Sequence, residues 1–169
     1  MPVFLVKIWL RITVANVSTE EKNKKPGAVI TYHTPKCVYL VVDDNKMNLI
    51  VAKRFLDKIK GNVETARGGD EALQKMRETK YDLIFMDHMM PNPDGIRTYE
   101  LSRTDPENIN LDTPMIMMTA NALSGMREEY LKIGFADYIS KPVEIAELLR
   151  VVRLHLSSDK IDEITQPND

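Results

Sequence analysis

The first pattern along the chain is an alternation of apolar and polar residues. Over residues 7–15, Ile8, Leu10, Ile12 and Val14 share one face while Lys7, Trp9, Arg11 and Thr13 share the other, a period of two that predicts a strand. A polar stretch follows at 18–27, and residues 28–33 can form a second short strand. Residues 1–35 therefore read as an arm appended to something else. From Val38 the pattern changes to short apolar runs alternating with helix-period segments. VYLVV at 38–42 is β-branched and continuously apolar, as expected of a strand buried on both faces of a parallel sheet. Residues 45–59 carry Met47, Ile50, Val51, Phe55 and Ile59 at helical spacing, and Gly61-Asn62 ends that segment. Strands are then predicted at 63–66, 83–86, 115–118 and 137–140, and helices at 69–79, 96–103, 124–133 and 143–156. This (βα)5 alternation predicts an α/β fold, a doubly wound parallel sheet covered by helices on both faces. Residues 157–169 are polar, end in QPND, and are expected to be a disordered tail. The expected organisation is an arm at 1–35, one domain at 36–156 and the tail.

Composition narrows the function. The 169 residues carry 23 Lys and Arg against 25 Asp and Glu, a formal charge of -2, so no global positive field favours nucleic acid or an anionic membrane. Neither is expected as a partner. Lys7 and Arg11 interrupt the apolar start, so neither a signal peptide nor a membrane span is expected there. The single cysteine, Cys37, excludes an internal disulfide and fits a reducing compartment, which makes the cytoplasm the expected location.

Candidate chemistry lies where the predicted strands end. In an open α/β sheet, ligands bind outside the carboxyl ends of the strands. The first strand of the series runs into Asp43-Asp44, the third into Asp87, the fourth into Thr119 and the fifth into Lys141-Pro142. Three carboxylates at about 4 Å repel by roughly 4 kcal/mol per pair at an effective dielectric of 20, so they need a cation or a shared proton. An all-oxygen site without cysteine or clustered histidine favours Mg2+. A carboxylate beside Mg2+ can attack phosphorus, and Lys141 with the Thr119 hydroxyl can balance charge on the transferred phosphoryl oxygens.

VVDDN at 41–45, FMDHMMPNPDG at 85–95, MTAN at 118–121 and YISKP at 138–142 resemble, in order and placement, the receiver domain of two-component response regulators. The resemblance covers about residues 36–156. It implies the flavodoxin-like strand order 2-1-3-4-5, Asp87 as phosphoacceptor, Asp44 as a direct Mg2+ ligand, Asp43 as a ligand through water, and the Met89 carbonyl as a further ligand. It also implies that Lys141 pairs with the phosphoryl group, that Thr119 donates its hydroxyl, that Tyr138 is the aromatic rotamer switch, and that the Lys141-Pro142 bond is cis. The phosphodonor would be a histidine kinase or a histidine phosphotransfer protein. The wording DDNKMN and TAN looks most like receivers attached to hybrid histidine kinases. The arm is faintly similar to the last hairpin of a kinase ATP-binding domain whose nucleotide motifs are absent here, so the chain is not expected to bind ATP or phosphorylate itself on histidine.

Blander roles stand beside these. Asp43-Asp44 can be a helix N-cap, Asp94-Gly95 a turn, Thr119 a plain strand residue, Lys141 a loop cation, and Tyr138 a half-buried aromatic on an edge strand. His88 adjoins Asp87, but neighbours on a strand point to opposite faces, so no direct catalytic role is expected of it. Two alternatives stand beside a phosphoacceptor receiver within a hybrid kinase. A haloacid-dehalogenase-like phosphatase also uses a nucleophilic Asp and Mg2+, but wants an Asp two residues on, where Met89 stands. A free-standing single-domain regulator would share every motif of the domain. The arm's Phe4, Ile8, Trp9, Leu10, Ile12 and Val14 would be costly to leave solvated, so self-association through the arm is expected.

Overall fold

The computed structural model describes residues 29–120 and 126–164. The strand expected at 7–15 and the first two residues of the helix expected at 124–133 lie outside the described residues. A two-residue strand β1 (Tyr32–His33) precedes β2 (Val38–Val42), α1 (Lys46–Asp57), β3 (Asn62–Ala66), α2 (Gly69–Glu78) and β4 (Leu83–Asp87). There follow α3 (Gly95–Thr104), β5 (Met115–Thr119), α4 (Met126–Ile133), β6 (Asp137–Ser140), α5 (Ile145–His155), a 3-10 turn at Ser158–Lys160 and β7 (Asp162–Glu163).

The main sheet has five parallel strands in the order β3-β2-β4-β5-β6. This is the order 2-1-3-4-5 once the short β1 is set aside, so the expected doubly wound fold is met. The period-two geometry of a strand sends alternate residues to opposite faces, and the core divides accordingly. Tyr39, Val41, Phe85, Ile116, Met118 and Ile139 pack with Leu49, Ala52 and Leu56 of α1 and Leu148 and Val152 of α5. Leu40, Val42, Ile84, Met86, Met115 and Met117 pack with Ala72 and Met76 of α2, Tyr99 of α3 and Tyr130 of α4. Two-sided burial is why these strands read as unbroken apolar runs.

The buried stripe of α1 differs from the spacing read in the sequence. Leu49, Ala52 and Leu56 face the core, while Met47 is 63% and Val51 37% exposed. Both stripes have helical periodicity, and only the position of the sheet selects between them.

The body also extends past residues 36–156 at both ends. β1 pairs antiparallel with β7, Tyr32 with Glu163 and His33 with Asp162. Tyr32 is buried, and its hydroxyl donates to the Leu149 carbonyl oxygen at 2.6 Å. Arg153 lies over the Tyr32 ring and pairs with Glu163 at 2.6 Å, while Lys160 pairs with Asp82. Residues 157–164, expected as disordered tail, thus form a turn and a strand closed on the N-terminal segment. Two-residue strands carry too little periodicity to be read from sequence.

Candidate functional site

The carboxyl ends of β2 and β4, at the centre of the sheet, gather the acidic side chains. The Asp43 amide donates to the Ala66 carbonyl at 3.1 Å, carrying the β2-β3 ladder one residue further and fixing the Asp43 side chain at the sheet edge. Its carboxylate is fully buried. Oδ1 accepts from the Asn45 amide at 2.9 Å and from Asn48 Nδ2 at 3.0 Å. The N-cap of α1 is Asn45, whose side-chain oxygen accepts from the Met47 amide at 2.9 Å, so capping does not occupy the acid pair. Asp44 is exposed. Ligand oxygens of Asp43, Asp44 and Asp87 all lie within 4.8 Å of one another.

Asp87 closes β4 and is 3% exposed. Lys141, just past β6, reaches both buried acids, with Nζ 2.7 Å from Asp87 Oδ1 and 2.6 Å from Asp43 Oδ2. Its amide donates to the Thr119 carbonyl at 2.7 Å, and the Lys141-Pro142 bond is cis, as the resemblance implies. Burial pushes the Asp87 carboxyl above the usual carboxylate range. The Lys141 contact opposes this, the charge on Asp43 adds to it, and the Met89 amide, donating at 3.3 Å, opposes it, leaving a net upward shift. Asp43 and Asp87 thus form a compact pair of buried acids held by one ammonium.

The loop after Asp87 returns tightly. The Gly95 amide donates to the His88 carbonyl at 3.2 Å, and a Cβ on Gly95 would meet the Asp87 carbonyl oxygen at 2.1 Å, an approach only glycine permits. Asp94, expected in a turn, is the N-cap of α3, its side chain accepting from the Arg97 amide at 2.8 Å.

Thr119 ends β5 fully buried. Tyr138 sits half-buried on the edge strand β6 at the margin of the core on the α2–α4 face. A different tyrosine bonds to Thr119. Tyr130 of α4 places its hydroxyl 3.2 Å from Thr119 Oγ1 and 3.1 Å from His88 Nδ1. Tyr130, His88 and Asn48 are the contacts that sequence reasoning missed. Asn48 falls inside DDNKMN, one helical turn past the acids, which was a usable signal. Nothing in the sequence tied Tyr130 to Thr119.

An oxygen-only donor set of three carboxylates fits a hard divalent cation such as Mg2+, and the adjacent ammonium fits an anionic group delivered to Asp87. The position two residues after Asp87 is Met89, which has no proton to give and so does not supply the general acid of a haloacid-dehalogenase-like phosphatase.

Comparison with known proteins adds the following similarities. The family model described as response regulator receiver domain matches residues 39–153. The signal transduction histidine-protein kinase BarA of Escherichia coli is 38% identical over 105 residues, which are 62% of this chain and 11% of that kinase. The chain thus spans between about a tenth and a fifth of the length of the curated relatives it matches. Among solved structures, the receiver domain of the sensor histidine kinase PA1611 from Pseudomonas aeruginosa has magnesium coordinated in its active-site cleft. It is 33% identical at a TM-score of 0.62, over 70% of this chain and 96% of that one. The receiver domain of Ssk1 from Saccharomyces cerevisiae, crystallised with the histidine phosphotransfer protein Ypd1, is 27% identical at a TM-score of 0.65, over 72% of this chain and 90% of that one.

Proposed function

The chain belongs to the response regulator receiver domain family, and from that membership we propose that Asp87 takes a phosphoryl group from a partner's phosphohistidine. The observation that carries this is the placement of buried Asp87 beside both Asp43 and the Lys141 ammonium. In the transfer, an Asp87 carboxylate oxygen forms a bond to phosphorus as the phosphorus–nitrogen bond breaks, and the electron pair of that bond leaves with the imidazole. Lys141 turns from the acid pair to the phosphoryl oxygens, and the Thr119 hydroxyl donates to one of them. Asp44, Asp43 through water, Asp87 and the Met89 carbonyl would hold Mg2+, which supplies neutralising charge to the phosphoryl oxygens when bound. Asn45 and Asn48, donating to Asp43, keep its carboxylate turned into the site. Tyr138 is the aromatic that moves as Thr119 turns inward.

The partner's chemistry is suggested by the rim. Met47 and Met89, three residues after Asp44 and two after Asp87, are exposed by 63% and 70%, and Val51 lies beside Lys141; these apolar side chains suit docking of a histidine kinase or a phosphotransfer protein. The relatives suggest that the whole protein is a hybrid sensor kinase, and the single cysteine, Cys37, fits work by this domain in the reducing cytoplasm. Among the described residues no helix is long and apolar enough to cross a membrane.

Intact-mass measurement after incubation with acetyl phosphate and Mg2+ tests the assignment. One phosphoryl group is expected on the parent and none on Asp87→Asn. The same mass gain on the variant, or undiminished labelling in excess EDTA, overturns it.

A further inference from the structure

Among the described residues Tyr130 is the only fully buried residue of α4, at 1% exposure, and with the half-buried Met126 it roots that helix in the core. Its ring stands edge-on to His88, with centroids 5.6 Å apart at 76°, and edge-on to Phe135 at 6.4 Å and 82°. Its hydroxyl reaches Thr119 Oγ1 at 3.2 Å and His88 Nδ1 at 3.1 Å. The residue that anchors α4 therefore also holds the hydroxyl beside the acidic site. Meanwhile the Asp87 carboxylate is engaged by Lys141 and the Met89 amide.

We infer that Tyr130 is a positioning residue, holding the Thr119 hydroxyl on the α4 side of the site and releasing it when a phosphoryl group arrives on Asp87. The inference rests on the proposed reading that Thr119 donates to that phosphoryl group.

Proton counting supports the hold. A phenol has one proton. When Tyr130 donates to Thr119 Oγ1, it accepts from His88 Nδ1–H, and the three side chains form one chain of donors directed at Thr119. Two ends of that chain are fixed by backbone. The His88 amide donates to the Met118 carbonyl at 2.9 Å, and the Thr119 carbonyl accepts from the Lys141 amide at 2.7 Å. Rotation of the Thr119 side chain towards Asp87 therefore breaks the Tyr130 bond without moving its own backbone, and leaves the phenol's proton without an acceptor while its oxygen keeps the His88 bond. A buried polar group does not stay unpaired at low cost, so α4 responds. The sites are coupled through a side chain that belongs to both, which gives a physical route from Asp87 to the α4 surface.

Beryllofluoride, which occupies the phosphoryl position, is the probe. Its affinity in saturating Mg2+ is measured by amide-shift titration for the parent, Tyr130→Phe, Thr119→Ala and the double variant. Removing one neutral hydrogen bond that opposes the switch is expected to tighten binding by about two- to tenfold in Tyr130→Phe, and the gain is expected to vanish when Thr119 is already alanine. Unchanged or weaker binding in Tyr130→Phe, or the same gain in the Thr119→Ala background, overturns the inference. A second measurement uses the parent alone. With 13C-labelled tyrosine, the Tyr130 Cζ resonance is expected to shift as beryllofluoride saturates, and an unmoved resonance overturns the inference even if the variant does not fold. Failure of the parent to bind beryllofluoride, or equal binding by Asp87→Asn, overturns the proposed function itself and this inference with it. Tight parent binding that Thr119→Ala weakens but Tyr130→Phe leaves alone removes only the role of Tyr130.

Discussion

The Lys141 ammonium lies 2.7 Å from Asp87 Oδ1, and the same nitrogen lies 2.6 Å from Asp43 Oδ2. One positive charge therefore serves two buried carboxylates, and it competes for the same acids with any divalent cation they would hold. Substituting Lys141→Met removes this competitor. Mg2+ affinity, measured by calorimetry, is expected to rise several-fold, because the two acids regain their mutual repulsion and their demand for a cation. Phosphorylation by acetyl phosphate is expected to slow by about 100-fold, the scale of losing one preorganised stabiliser of developing charge. Weaker Mg2+ binding in the variant would show that Lys141 supports the metal instead of competing with it.

Gly95 faces the Asp87 backbone so closely that a Cβ there would stand 2.1 Å from the carbonyl oxygen. Gly95→Ala must push the α3 N-terminus away from β4. A destabilisation of about 1–3 kcal/mol is expected in urea unfolding, the range for overpacking a close contact. Phosphorylation should slow as well, since the loop that carries Met89 moves with it. A variant with unchanged stability and unchanged labelling would mean that the loop relaxes freely.

Asp137 gives a pH prediction away from the site. Burial opposes its charge, but the Tyr138 amide, His155 and Arg150 outweigh burial and hold the carboxyl below its usual range. A depressed carboxylate adds stability that is complete above the unfolded value near about 4 and is lost as pH falls through the folded value. Asp137→Asn is therefore expected to be less stable than the parent at neutral pH, by about 1–3 kcal/mol for the lost charged hydrogen bonds. The gap should close in acid. Urea unfolding of both proteins across pH 2 to 7 reads it, and a gap that persists or widens at low pH contradicts the assignment.

The clasp between residues 32–33 and 162–163 predicts a boundary. Tyr32 donates to Leu149 at 2.6 Å and its strand pairs with residues 162–163. A protein beginning at Thr34 loses both. It is expected to fold, because the five-stranded sheet is complete, but to melt several degrees lower. Tyr32→Phe in the full chain should cost about 1 kcal/mol for the buried hydroxyl's bond alone. Equal melting of the full and shortened chains would mean that the clasp contributes nothing.

The sequence by itself determined the parts that local chemistry writes. Apolar runs such as VYLVV are legible because a strand buried on both faces tolerates only apolar side chains, and their alternation with helical segments leaves few topologies. The same order places Asp43, Asp44, Asp87, Thr119 and Lys141 at one edge of the sheet, since each simply follows its strand. What the tertiary structure decided were choices between equivalent local patterns and contacts across long separations. The stripe at Met47 and Val51 and the stripe at Leu49, Ala52 and Leu56 are equally helical, and only packing against the sheet exposes one and buries the other. Tyr130 and Tyr138 are both near Thr119 by distance along the chain, yet Tyr130 bonds to its hydroxyl oxygen because α4 turns that side chain inward. Tyr32 and Glu163 meet across the whole domain, through two strands too short to have a period. Periodicity reports which face a residue shares, while its partner is set by where the rest of the chain has already gone.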